Sequence, residues 1–294
     1  MANTFPMRLD TIDAEGPVHF ADFGGTGPRL VLVHGLGGSH ANWLAVGPGL
    51  AAHARVVAPD LPGFGKTPAA GRSAQVPANR ECLHRFLAAV GRPAILVGNS
   101  MGGLIAMMEA ALHPENVSAL VLVAPAQPSP PGTRIDREIL LAFALYSIPL
   151  VGEWYLRHRA ARLGPEGFVR EVLRLLCVDP SRVPPEVRAA HVALAAERLA
   201  NMPGSDRAFL EAARSLLAIL RRRRSFEEMV GRITAPTLLI QGTRDRLVPF
   251  TASRALAARR QDWAFEVFED TGHVPQLESS ARFVAVVERW ISGA

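Results

Sequence analysis

The stretch AILVGNSMGG, Ala94 to Gly103, runs from an apolar segment through a glycine-flanked serine into an Ala-, Met- and Leu-rich segment. Ile95, Leu96 and Val97 form the short continuous apolar run expected of a strand buried on both faces of a parallel sheet. The residues from Leu104 to Leu112 read as a helix. Between them, Gly98-Asn99-Ser100-Met101-Gly102 fits G-x-S-x-G, a strand-to-helix turn that strains the serine backbone and lifts its hydroxyl clear of the sheet edge. A side chain on either flanking glycine would collide with the neighbouring strand or helix. A loop with a serine N-cap would satisfy the same letters. The reactive reading therefore requires a base, an acid and an anion-binding loop, each at a strand end and in the right order.

Outward from this stretch the chain alternates strand and helix. Arg29–Gly35 and Arg55–Gly63 read as strands, separated by a helical segment, Asn42–His53, interrupted near Pro48. Asn79–Gly91 is amphipathic and stopped by its glycine, and Val117–Pro125 is another buried strand. This rhythm, with unbroken Val/Leu/Ile runs, predicts a parallel sheet covered by helices on both faces. From Gln127 to Val230 no strand-like run occurs, only helical segments broken by proline and glycine. The alternation resumes with Pro236–Gly242, a helix over Thr251–Arg260, the strand Phe265–Asp270 and a final helix over Phe283–Ile291. The economical organisation is one core domain, residues 1–126 and 231–294, carrying a helical insertion at 127–230.

With 294 residues, 49% of them hydrophobic, the chain can bury a sizeable core. No apolar run reaches the roughly 18–20 residues of a membrane span; the longest, Ile139–Val151, contains Pro149. MANTFPMRLDTIDAEG at the start has neither a basic leader nor an apolar core, so no secretion signal is expected. Cys82 and Cys177 stand in no metal-binding or redox spacing, which predicts no disulfide, no zinc and a reducing, cytoplasmic compartment. The net charge of +5 is concentrated between Gln127 and Val230, where 16 arginines face 12 acids; the remaining residues carry 16 basic and 15 acidic side chains. Solvated helix faces account for that excess better than a nucleic-acid surface does, Arg221–Arg224 being its one dense run.

A serine hydroxyl is a poor nucleophile near neutral pH and needs a base that is itself oriented. DTGHVPQLE supplies His273 and QGTRDRLVP supplies Asp245, both just past strands, where an open α/β sheet gathers its functional groups. The loop after Val123, another strand end, reads Ala124-Pro125-Ala126 and holds no carboxylate until Asp136. The glycines of LVHGLGG allow main-chain amides to turn inward, so the backbone N–H groups of Leu36 and Met101 are the expected oxyanion donors. Of the other polar candidates, His34 reads as structural, Asp60 as holding its own loop, and His113 as an ordinary helix end.

HGLGG, DLPGFGKT, GNSMGG, GTRDRLVP and GHVPQLE, taken together, resemble the α/β-hydrolase superfamily over nearly the whole chain. The resemblance implies a mostly parallel central sheet of about eight strands, helices on both faces, and a helical cap inserted after the sixth strand. It also implies a serine hydrolase acting through an acyl-enzyme on Ser100, with His273 as general base and acid and Asp245 orienting it, without metal or organic cofactor. Haloalkane dehalogenases and epoxide hydrolases of this fold place an aspartate at the elbow, where this chain has Ser100, and epoxide hydrolases read H-G-x-P where it has His34-Gly35-Leu36-Gly37. Meta-cleavage C–C hydrolases share G-N-S-M-G-G but resemble H-G-x-G-P-G at the oxyanion loop and carry a tryptophan after the histidine. This chain has HGLGGSH and Val274 there, which favours ester hydrolysis over carbon–carbon cleavage, and an apolar cap pocket would suit an apolar acyl or aromatic ester. C–C hydrolysis and a small-molecule receptor of the same fold stay as alternatives. Leu140–Val151, the most apolar cap segment, either lines an acyl pocket or forms the cap's own core. The partners expected are a small-molecule ester and, as an open alternative, a second copy in a homodimer; neither nucleic acid nor stable membrane insertion is expected.

Overall fold

The computed structural model describes residues 6–293; the first five residues of the segment read for a leader, and Ala294, lie outside them. Eight strands form one sheet: β1 (Arg8–Asp13), β2 (Pro17–Gly24), β3 (Arg29–Val33), β4 (Arg55–Pro59), β5 (Ala94–Asn99), β6 (Val117–Val123), β7 (Thr237–Gly242) and β8 (Ala264–Phe268). Their spatial order is β1-β2-β4-β3-β5-β6-β7-β8. The pairs β1–β2 and β2–β4 are antiparallel, and every later pair is parallel. β5, which leads into the serine, lies in the middle of the parallel part.

The apolar runs follow from that position. Successive side chains of a strand point to opposite faces. Leu30, Leu32, Ile95 and Val97 accordingly enter one core, with Trp43, Leu50 and Phe283 from the short turns after β3 and the C-terminal helix. Val31, Val33 and Leu96 enter the other, with Leu83, Phe86, Leu104 and Ile105 from the helices Val76–Val90 and Met101–Leu112. A strand in such a setting has no solvent side on which to place a polar residue.

Two local expectations are corrected. The β1–β2 hairpin is absent from the sequence reading because β1, RLDTID, is a half-exposed edge strand with no apolar run to announce it. Asn42–His53 is not a single interrupted helix but two short turns, His40–Trp43 and Gly47–Leu50. Pro48 cannot continue a helix but suits the first turn of a new one. Gly47 is required by Phe23, whose ring would lie 2.5 Å from any Cβ added there.

Between β6 and β7 lie the helices Arg137–Ser147, Val151–Leu176, Pro185–Asn201, Ser205–Leu220 and Arg223–Gly231, with no strand among the described residues. The long second helix is broken at Gly164 (φ 61°), just before Pro165. This cap is anchored on the loop after β4. Arg198 donates to the carbonyls of Gly65 (2.8 Å) and Gly63 (2.9 Å), Lys66 pairs with Glu197, and Ser73 bonds to Glu211.

Candidate active site

Ser100 sits between β5 and the helix Met101–Leu112 at φ 55° and ψ −118°, a region that non-glycine residues seldom occupy. The flanking glycines permit the turn. A Cβ on Gly98 would lie 2.5 Å from the Gly102 carbonyl oxygen, and one on Gly102 would lie 2.2 Å from that of Val33. The turn is also held from its far side. The Ser100 amide donates to the Val123 carbonyl (3.0 Å), and the Ser100 carbonyl accepts from Ala126 (2.9 Å).

His273 follows β8 on a loop fixed at three points. Its amide donates to the Leu176 carbonyl at the end of the long cap helix (2.7 Å). The Gly272 amide donates to the buried Glu278 carboxylate (2.8 Å), whose other oxygen accepts from the amides of Val178 and Asp179 (both 2.9 Å). The His273 carbonyl accepts from Asn99 Nδ2 (3.1 Å), which also donates to Val123 (3.0 Å). One buried amide thus ties the serine turn directly to the imidazole loop.

The imidazole Nδ1 lies 2.8 Å from Asp245 Oδ2, and both side chains are buried. Four donors converge on that carboxylate. The Leu247 and Val248 amides reach Oδ1 at 2.8 and 2.9 Å, while Gln241 Nε2 reaches Oδ2 at 2.9 Å beside the imidazole. Gln241 is aligned in turn by Ser253 (2.7 Å), and Ser253 by Gln127 (2.8 Å). An acceptor-only carboxylate so surrounded has its lone pairs filled and leaves Nδ1–H as the imidazole tautomer. Nε2, facing away from Asp245, is buried and has no hydrogen-bond partner among the described residues. Ser100 Oγ does not bond to it in this structure. A buried polar atom left unpaired calls for an explanation, and a base whose contact tightens only on a reacting substrate provides one.

The loop after β3 packs against the serine from the other side. A Cβ on Gly35 would come within 3.1 Å of Ser100 Cβ. Gly35–Gly38 closes as a turn (Gly38 N to Gly35 O, 3.0 Å), and within it the Leu36 amide donates to no group among the described residues. Met101 begins its helix, where the N–H has no intrahelical acceptor. His34 is structural, as expected: Nδ1–H donates to Gly35 O (2.8 Å) and Nε2 accepts from the Leu61 amide (3.0 Å). Burial lowers its pKa to about 4, so it is neutral at ordinary pH. Asp60 holds its loop, also as expected, accepting from the His40 amide (2.6 Å), His40 Nδ1 (2.9 Å) and the Lys66 amide (2.7 Å). Burial pushes that carboxyl up, but His40 and the amide donors outweigh it and hold the pKa below the usual value. Over the loop stands a cap aromatic group. Phe209 would touch a Cβ on Gly37 at 3.0 Å, and its ring centroid lies 5.3 Å from that of Tyr146. A cleft of about 680 Å³ lined by Pro130, Arg134, Phe250 and Arg254 reaches Asp245.

Three supporting residues escaped the sequence reading: Asn99, Gln241 and Glu278. Asn99 and Gln241 had a signal, a polar letter at the end of a strand that is otherwise buried and apolar, where an unpartnered side chain would be costly. His84, Glu109 and His113 also approach one another within 4.8 Å. They lie toward the far end of the Met101–Leu112 helix, and the Glu109 carboxylate is engaged by His84 (2.8 Å), Asn116 (2.9 Å) and Arg80 (3.3 Å).

The sequence matches the α/β hydrolase fold family over residues 28–280, and the chain belongs to that family. The pimeloyl-[acyl-carrier protein] methyl ester esterase of Aeromonas hydrophila is 30% identical over 273 residues, covering 91% of this chain and 96% of that one. The 2-hydroxymuconate semialdehyde hydrolase of Pseudomonas sp. is also 30% identical, covering 92% and 89%. Among solved structures, Cfl2 of Burkholderia cenocepacia superposes with a TM-score of 0.80 at 22% identity over 97% of this chain and 95% of that one, a likeness of fold. The hydrolase assignment and the eight-stranded, mostly parallel sheet thus rest on sequence and structure together. No helix among the described residues is long and apolar enough to cross a membrane.

Proposed function

We propose that the chain hydrolyses carboxylic esters of apolar or aromatic acids through an acyl-enzyme on Ser100. The observation that carries this reading is the state of the His273 imidazole: Nδ1 is committed to Asp245 while Nε2 is buried and unpartnered, on a loop tied to the serine turn through Asn99. In the proposed cycle Nε2 takes the Ser100 proton as Oγ adds to the ester carbonyl carbon. The carbonyl oxygen becomes an oxyanion held by the Leu36 and Met101 amides. The tetrahedral species then expels the alkoxide, which receives the proton from Nε2. Water repeats the sequence on the acyl-enzyme and releases the acid. Asp245 keeps the ring in the Nδ1–H tautomer and stabilises the imidazolium.

Ester chemistry is favoured by HGLGG at the oxyanion loop and by Val274, buried after the imidazole. The Aeromonas relative, named for an ester substrate, supports it as well. The equally similar Pseudomonas hydrolase keeps C–C hydrolysis as the second reading. A panel of p-nitrophenyl esters of rising acyl length separates them from each other and from a receptor. Sustained multiple turnover is expected, together with phosphonate labelling confined to the peptide bearing Ser100. Turnover of vinylogous diketones with none of esters would establish the C–C reading, and stoichiometric binding of both without turnover would leave a receptor.

A further inference from the structure

We propose that the outer face of the cap, centred on the helix Arg137–Ser147 and the turn that follows it, docks on an anionic lipid surface. The apolar segment Leu140–Val151, expected to be either pocket lining or cap core, is divided by the helical period. Ile139 and Tyr146 are buried, Tyr146 against Phe209 above the Gly37 loop. Leu140, 58% exposed, and Leu141, 62% exposed, face outward on the opposite side. The turn continues the outer face with Ile148 and Leu150, and the next helix with Trp154, 56% exposed. Leu150 is 81% exposed and held there at φ 67°, a conformation unusual for a bulky residue. Of the ten large apolar side chains exposed among the described residues, seven fall between Ile135 and Trp154. A patch so contiguous marks an interaction surface rather than scattered exposure.

Its charge selects the occupant. The segment 134–162 holds three acids: Asp136 is paired with Arg246, Glu138 with Arg174 and Arg246, and Glu153 with Arg214. The segment ends before the fourth cap acid, Glu166, so only those three lie within it, and all three are neutralised by arginines from elsewhere. Its own Arg134, Arg137 and Arg162 have no ion pair among the described residues, and Arg157 approaches Asp206 only to 3.8 Å. What remains is an apolar face rimmed by uncompensated guanidinium groups, the combination that binds acidic bilayer interfaces. A second copy across a two-fold axis would set this cationic rim against itself. The inference concerns where the molecule sits and holds independently of the ester chemistry.

The test mixes the full chain with vesicles of phosphatidylcholine alone or of an equimolar mixture with phosphatidylglycerol, and reads the bound fraction by flotation. The chain is expected to bind the anionic vesicles at least about tenfold more strongly, less so as salt rises. Emission from Trp154, the exposed one of the four tryptophans, should shift to the blue. Leu140→Ser with Leu141→Ser should weaken binding about tenfold or more, and Arg137→Glu with Arg162→Glu should remove the preference for anionic lipid. All these positions are exposed, so soluble-ester activity should be unchanged in the variants. Ser100→Ala should bind as the unmodified chain does, so that docking and catalysis are read separately. Absence of vesicle binding, binding indifferent to these substitutions, or a solution dimer that the leucine substitutions dissociate would each overturn the proposal.

Discussion

Two buried histidine–aspartate pairs in this molecule are nearly superimposable as chemistry and opposite in consequence. His273 Nδ1 lies 2.8 Å from Asp245, and His40 Nδ1 lies 2.9 Å from Asp60. Both carboxylates are buried and both also collect main-chain amides. The difference is in what the pair is attached to. Asp60 gathers amides from two loops, at His40 and Lys66, and so fastens the loop after β4 to the loop after β3. Asp245 gathers amides from its own turn and a glutamine from its own strand, and what it steadies is a ring with a vacant nitrogen near the serine turn. An imidazole–carboxylate contact is therefore no sign of catalysis by itself. The vacant nitrogen and its neighbourhood are the informative part.

Substitution should pull the two pairs apart. The largest effect is expected from Ser100→Ala, which removes the atom that only the His273 pair can serve; ester turnover should fall about 10⁶-fold, by analogy with a serine-protease nucleophile. Asp245→Asn should lower kcat by about 10⁴-fold through the wrong imidazole tautomer, with little loss of folded protein. Asp60→Asn should do the reverse. Urea unfolding should show a loss of about 3 kcal/mol, the scale of breaking a buried ion pair, while turnover per folded molecule stays within a few-fold. Equal effects of Asp60→Asn and Asp245→Asn on kcat would dissolve the distinction.

His34 sharpens it further, as a buried histidine with no carboxylate of its own. Burial puts its folded pKa at about 4 against 6.5 for the exposed group. Between those values the unfolded chain binds the extra proton, so the stabilisation is complete above pH 6.5 and drains away as pH falls toward 4. From pH 7.5 to 5 the loss should be about 2 kcal/mol. Protonation at Nε2 would also break the bond from Leu61. Urea midpoints across that range, flattened in His34→Gln, would show it. The smallest expected effect is that of Asn99→Ala, about tenfold in kcat with KM nearly unchanged, because it loosens the His273 carbonyl rather than the reacting atoms. A rise in KM alone would assign Asn99 to substrate binding.

What the sequence discloses and what it conceals divide along physical lines. β3, β5, β6 and β7 are legible because strands covered on both faces must be continuously apolar, and their ends then point to Ser100 and Asp245. His273 is legible by order along the chain. β1 is concealed because an edge strand needs no apolar run, and the short turns at His40–Trp43 and Gly47–Leu50 because Pro48 and a ring from β2 decide them. Asn99 and Glu278 are concealed because their partners lie far away in the chain: Asn99 reaches across 174 positions to His273, and Glu278 across about a hundred to the cap. The outward half of Leu140–Val151 is concealed for another reason. Apolar letters predict burial only when the molecule supplies something to bury them against.

Glu278 has a mechanical meaning as well as an electrostatic one. Its carboxylate clasps Val178 and Asp179, just past the long cap helix, to the amide before His273, and the His273 amide grips the helix end itself at Leu176. Any displacement of the stretch from Leu176 to Asp179 must therefore drag the imidazole backbone with it. The cap is thus coupled to the imidazole loop at this edge, and the break at Gly164 lies between that helix end and the half of the helix bearing Trp154.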